Sequence, residues 1–292
     1  MGFKKAVKHN AKLRLALCGP AGSGKTFTLL ELATALAAGV GPVAYVDTEH
    51  GSASKYADVF SFDVVEPNSF NPQDLIKTIG EAITAGYAVI CIDSLSHYWM
   101  GKGGELEMVD AAAKRTQGNS FAAWKHVTPV HNQLIDTIIS APIHVLVSLR
   151  SKTEWVIEKD DRGKSAPRKV GLAPIMRDGI EFEFDVCGDM DQENTLTVTK
   201  SRCSALANKV IPQPSKETAE TLKAWLSGAP KPETITADQQ AHIADLMTKS
   251  GKTKDQVRAI MKQHGFENRA EVTVEKYPAV CAAIEGGGEC AQ

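Results

Sequence analysis

Six cysteines are scattered through 292 residues, and no two form a CxxC pair. That spacing offers no paired metal or redox motif. Cys18 and Cys91 lie inside apolar runs, and all six are read as reduced thiols of a cytosolic protein. Charge of one sign is lacking too: 33 basic against 35 acidic residues leave a net charge of −2. No global basic field announces a nucleic-acid partner, so any such contact must come from local patches. Long apolar runs are absent. The Lys-rich start is followed only by LRLALCG, too short for a leader's hydrophobic stretch or a membrane span, so a cytoplasmic protein with no membrane partner is expected. There are no internal repeats and no long low-complexity tract.

What is present is a core-forming composition, 43% apolar. Short apolar runs at 13–18, 43–47, 88–93 and 143–149 read as buried strands. Between them, 26–38, 72–85 and 122–140 carry helical apolar spacing. Strand–helix alternation with continuously apolar strands implies a mainly parallel sheet between helices. After Arg150 the pattern changes: TEWVIEKDDRGKSAPRKVGL reads as a hairpin, and EFEFDVCGDM and TLTVTKSR as two strands around DQEN, giving antiparallel strands at the C-terminal edge. SGAPKPET looks like a linker, and three short helices follow it, with Thr236 and Thr253 as caps. The expected division is an α/β domain over 1–228, a linker over 229–234, a small helical module over 235–286 and a flexible tail over 287–292.

One motif carries most of the chemistry. GPAGSGKT, 19–26, matches GxxxxGK(S/T) after a strand and before a helix. Its glycines let backbone amides turn inward around phosphate oxygens, and the helix N-terminus adds partial positive charge. Gly19, Pro20, Ala21, Gly22, Ser23, Gly24, Lys25, Thr26 and the adjoining Phe27 are the candidate triphosphate-binding residues. Lys25 would reach the β- and γ-phosphates and the Thr26 hydroxyl a Mg²⁺ ion, so ATP and Mg²⁺ are the expected cofactors. The apolar strand in AVICIDSLSH delivers Asp93 to its carboxyl end, where ligands of parallel sheets sit, as a second metal partner. VAYVDTEHG puts Asp47 and Glu49 just past the second strand. Both point to one face of an extended segment. Asp47 is either a second cleft carboxylate or a structural cap; Glu49, farther out, is the candidate water-activating base.

GPAGSGKT, VDTEHG and VICIDSL together resemble the RecA-like branch of P-loop ATPases. From Lys12 to about Arg202 the layout is also similar to a phage-type RecA-like family found beside recombination genes. The shared features are the helix bearing Trp124, HVLVSLRSK, the KDDRGKSAPRKVG hairpin, FEFDV and TKSR. The resemblance implies a RecA-like P-loop core and an ATPase acting in phage recombination. It implies that Ser148 or Arg150 senses the γ-phosphate. It further implies that Lys200 and Arg202 complete a neighbour's site, in a ring or filament of identical subunits. The loops after the Asp93 strand and after 143–149 would line a path for single-stranded DNA. The candidate contacts there are Trp99, Lys102, Lys114, Arg115, Lys152, Trp155, Arg162, Lys164, Arg168 and Lys169, because aromatics among cations suit backbone binding with base stacking. A single-strand-binding or other recombination protein is a further expected partner. The segments are much shorter than those of RecA and no N-terminal docking helix is evident, so annealing or binding of strands is expected before strand exchange. Two other readings remain: a nucleotide-switched scaffold that recruits replication or packaging proteins, and a small-molecule kinase, which a glutamate poised for water disfavours.

Overall fold

The computed structural model describes residues 11–115, 119–159, 165–227, 234–266 and 268–285, with side chains for all of these except 120 and 153–172. The chain divides into two compact units, Met1–Gly228 and Ala229–Gln292. No helix among the described residues is long and apolar enough to cross a membrane.

The first unit is a mixed α/β structure on one sheet. In chain order its elements are β1 (Arg14–Gly19), α1 (Lys25–Ala37), β2 (Val43–Asp47), β3 (Asp63–Val65), α2 (Pro72–Thr84), β4 (Val89–Asp93), α3 (Ser96–Met100), α4 (Glu105–Arg115) and α5 (Ser120–Ser140). There follow β5 (His144–Lys159), β6 (Ser165–Pro174), β7 (Val186–Met190), β8 (Thr195–Ser201), β9 (Val210–Pro212) and α6 (Lys216–Ser227). The strand order is β3-β2-β4-β5-β1-β7-β8-β9, with β6 paired to β5. All neighbours from β3 to β7 run parallel; β8 and β9 are added antiparallel at one edge. In this order β5 lies between the strand that leads into the phosphate loop and the strand that ends in Asp93.

The period of two along each strand splits the core into two layers. Leu15, Leu17, Tyr45, Cys91 and Leu146 pack with Leu29, Leu32, Leu36, Leu222 and Leu226 of α1 and α6. Ala16, Val46, Ile90, Ile92, Val145 and Val147 pack with Leu75, Ile79, Leu134 and Ile138 of α2 and α5. Local rules set the helix ends. Asn71 caps α2 through the Gln73 amide, with proline at the first helical position, and Asn119 caps α5 through the Ala122 amide.

The structure revises the sequence reading at several places. The strand at 143–149 and the first half of the hairpin form one continuous strand, β5. The stretch 180–183 is a turn of 3-10 helix, and the strand starts only at Val186. The segment after Asp93, taken as a loop, contains α3 and α4. β3, β9 and α6 carried no signal recognised in the sequence. The linker positions 228–233 and the tail 286–292 lie outside the described residues.

The second unit has its own apolar cluster, with Ile235, Ile243, Leu246, Val257, Met261, Val272, Val280 and Ile284 buried. Its helices are α7 (Ala237–Lys249), α8 (Lys254–Gln263) and α9 (Tyr277–Glu285). Thr236 with Gln239 and Thr253 with Gln256 form reciprocal capping boxes.

Candidate active site

β1 delivers the chain to Gly19, and α1 begins six residues later at Lys25. The loop between them needs its glycines. A Cβ on Gly19 would lie 2.6 Å from the Met190 carbonyl oxygen and 2.7 Å from Ser23 Oγ. Gly24 sits at φ 79°, and a side chain there would collide with the Asn194 amide. The buried Ser23 hydroxyl donates to the Pro20 carbonyl (2.9 Å) and fixes the turn. Lys25 folds over the loop, its Nζ donating to the carbonyls of Gly19 (3.0 Å) and Pro20 (2.7 Å). Burial holds its pKa below the usual lysine value, while Asp93 and Glu49 oppose that shift.

Asp93 is buried at the end of β4. Its Oδ2 accepts hydrogen bonds from Thr26 Oγ1 (2.6 Å) and the Tyr45 hydroxyl (2.8 Å). Its Oδ1 accepts one from Ser148 Oγ on β5. Three strands and the first turn of α1 therefore converge on one carboxylate. The adjoining Asp93–Ser94 peptide bond is cis.

The two acids after β2 part company. Asp47 is buried, and its oxygens accept from the backbone amides of Glu49 (2.8 Å) and Ala53 (2.8 Å), so it caps the turn. Glu49 turns outward and accepts from Arg150 Nη2 (2.8 Å) and Nε (3.2 Å). Arg150 is anchored at its own backbone, its amide donating to Ser96 Oγ (2.9 Å). Nearby, Thr48 Oγ1 lies 2.6 Å from His97 Nδ1. Burial, and then the Arg150 charge, lower the His97 pKa and favour its neutral form.

Gly19, Lys25, Thr26, Glu49, Asp93 and Arg150 all line one cavity of about 1090 Å³, which extends past Phe27 and Tyr56 to Asn194 and Gln213. Ser151 also lines it, and its Oγ is buried without a hydrogen-bond partner. A glycine cradle, a lysine, an arginine and an orphaned hydroxyl fit a triphosphate. The Thr26 hydroxyl and Asp93 carboxylate fit magnesium, a hard cation that keeps waters and phosphate oxygens and needs only one or two protein oxygens. Among the described residues no group of three or more His, Cys, Asp or Glu forms a self-sufficient metal cage.

Other candidates lie elsewhere. Lys200 Nζ donates to the carbonyls of Glu181 (2.9 Å), Phe182 (2.7 Å) and Phe184 (2.6 Å), closing the 3-10 turn of its own chain. Arg202, 62% exposed, lies 3.5 Å from Asp185. Trp99 is stacked on Trp124, with centroids 5.6 Å apart, and Arg177 covers the Trp124 ring at 5.8 Å. Trp99 is therefore packed, not open. Lys102, Lys114, Arg115 and Lys152 are exposed. Arg162 and Lys164 lie outside the described residues, as do the side chains of Trp155, Arg168 and Lys169. Sequence reasoning missed Tyr45, Asn194 and Gln213. A tyrosine inside a buried strand was the one available signal, because its hydroxyl needs a partner.

A phosphate loop meeting an acidic strand end on a mainly parallel sheet defines a P-loop ATPase domain. The AAA domain family matches residues 11–221, and the chain belongs to it. Among solved structures, a KaiC-like protein (PH0186) from the hyperthermophilic archaeon Pyrococcus horikoshii aligns at 16% identity. The alignment covers 68% of this chain and 83% of that one, with a TM-score of 0.41. Comparison with the curated proteins gave no match.

Proposed function

We propose that this protein is a magnesium-dependent ATPase of phage DNA recombination that binds or anneals single-stranded DNA. The observation that carries the ATPase chemistry is the shared cavity of Lys25, Thr26, Glu49, Asp93 and Arg150. The loop amides hold the triphosphate, and Lys25 exchanges the Gly19 and Pro20 carbonyls for phosphate oxygens. Thr26 and Asp93 would hold magnesium, which neutralises charge on the β- and γ-phosphates. Glu49 takes the proton of the attacking water, and Arg150 positions that carboxylate through their ion pair.

The DNA reading rests on the resemblance and on the exposed cations Lys102, Lys114, Arg115 and Lys152. Subunits assemble as a ring or filament, with Arg202 reaching a neighbour's site and Lys200 keeping a structural role. A single-strand-binding or recombination protein completes the assembly. The test is ATP turnover with and without single-stranded DNA across a salt series. Turnover rises with DNA, and the stimulation falls steeply with salt. Glu49→Gln binds ATP but does not hydrolyse it; normal hydrolysis by that variant removes Glu49 from its role.

The scaffold reading draws on one observation. The unit Ala229–Gln292 has its own core, and its eight basic and nine acidic residues leave no basic field. Turnover indifferent to DNA, with a protein partner retained through residues 235–286, favours that reading.

A further inference from the structure

The cavity is longer than the phosphate loop, and its far wall is built from two chain reversals that catalysis does not use. One is the turn between β7 and β8, ending at Asn194; the other joins β9 to α6 and begins at Gln213. Both residues have left-handed backbones, with φ 60° at Asn194 and 47° at Gln213. Asparagine adopts that conformation readily; glutamine does not. Gln213 is tied there by its amide, which donates to the Asn194 carbonyl (3.1 Å), although the following Pro214 favours an extended backbone at this position. Asn194 is fixed in turn by Asp191, whose side chain accepts from the amides of Glu193 (3.0 Å) and Thr195 (2.8 Å). The Asn194 side chain abuts Gly24, so this wall is tied to the phosphate loop. A residue kept in a disfavoured conformation by its surroundings, at the lining of a ligand cavity, points to a role in that ligand's recognition.

The chemistry of the wall narrows the role. Phe27 and Tyr56 line the same cavity, and Phe27, 42% exposed, packs edge-on to Tyr56 (5.7 Å) and Phe60 (5.2 Å). That is an apolar surface for the face of a flat ring. Gln213 is exposed and neutral and offers one acceptor and two amide hydrogens. An amide pairs in two-point fashion with adenine, which presents an N6 donor beside the N7 acceptor; guanine presents two acceptors, O6 and N7, and leaves the amide oxygen facing a lone pair.

We propose that Gln213 is the specificity-determining residue that selects an adenine nucleotide over a guanine nucleotide. This rests on the triphosphate reading of the same cavity. The test is calorimetric binding of ADP, GDP and inorganic pyrophosphate, each with magnesium. Wild type prefers ADP to GDP by about tenfold or more. Gln213→Ala brings the two within about twofold and leaves pyrophosphate binding unchanged. Gln213→Glu moves the preference toward GDP, because a carboxylate accepts from guanine N1–H and N2–H. Gln213→Gly relieves the backbone, so it melts no lower than wild type and still loses the preference. Retention of the ADP preference in Gln213→Ala and Gln213→Gly overturns the proposal, as does a wild type that binds ADP and GDP alike. Those outcomes leave pyrophosphate binding intact. Loss of pyrophosphate, ADP and GDP binding together instead removes the triphosphate reading, and this proposal with it.

Discussion

The ends of β4, an apolar run, and β8, an alternating one, both carry polar residues, and the fold puts them to opposite uses. At the end of β4, Asp93 meets Thr26, Tyr45 and Ser148, drawn from three other elements. At the end of β8, Lys200 is consumed by three carbonyls of residues 181–184 in its own unit. Strand direction explains the difference. β4 runs parallel to β1 and β5 in the same sheet, so Asp93 arrives at the edge where β1 gives way to the phosphate loop. β8 runs antiparallel to β7. Its Ser201 pairs with Val186, which lies level with Leu15 near the start of β1, so its end reaches the opposite edge. What that hairpin brings to the phosphate loop is its turn, with Asn194. A polar strand end is thus a site or a brace according to which way its strand points.

Substitutions at the two edges separate site from brace. Asp93→Asn is expected to lower ATP turnover at least a hundredfold while changing the melting temperature little, because the amide still accepts a hydrogen bond from Thr26 but carries no charge for a cation. Steady-state turnover beside a thermal melt checks this, and a variant that hydrolyses ATP normally would break the contrast. Lys200→Met should do the reverse. It leaves three carbonyls without their donor and costs about 1.5–3 kcal/mol in urea unfolding, with the ADP affinity of the folded protein unchanged. A weakened nucleotide site in that variant would show that the far edge is not merely structural.

The far edge also supplies a pH signature. His144 Nδ1 accepts the Leu13 amide hydrogen (3.0 Å), and burial, with Lys12 and Arg14 nearby, lowers its pKa to about 4. The folded state therefore binds fewer protons than the unfolded one between about pH 4 and the ordinary histidine value of about 6.5. This stability is fully present above pH 6.5 and is lost as pH falls toward 4. Between pH 8 and pH 5 the loss from this group is about 2 kcal/mol. Urea unfolding at the two pH values reads it, and in His144→Asn that part of the pH dependence should vanish. The smallest effect is expected at Arg202. Its ion pair with Asp185 is exposed, so Arg202→Ala costs less than about 1 kcal/mol. Any larger consequence should appear only in turnover at concentrations where subunits assemble.

Much of the parallel core was legible because buried strands and amphipathic helices have distinct periods. The four short apolar runs and the three helices between them stand where that periodicity puts them. The edges were not legible. β3 and β9 have three residues each and little burial, so no period develops. α3 and α4 follow Asp93 in a stretch rich in glycine and charge, where turn signals outweigh helical spacing. Within the site, the phosphate loop was readable because amide cradles demand glycine at fixed spacing. The fate of Asp47 was not, since a carboxylate that caps a turn and one that faces a cleft look alike in one dimension.

The sequence by itself determined the phosphate loop. A strand, a glycine turn, a lysine, a hydroxyl and a helix are contiguous, and their geometry follows from local backbone freedom. Only the tertiary structure decided what the distant polar groups touch: Asp93 meets Thr26, Tyr45 and Ser148, Glu49 pairs with Arg150, and Asn194 and Gln213 arrive from reversals at the antiparallel edge. Strand order and direction are collective properties of packed layers, and no single segment encodes them.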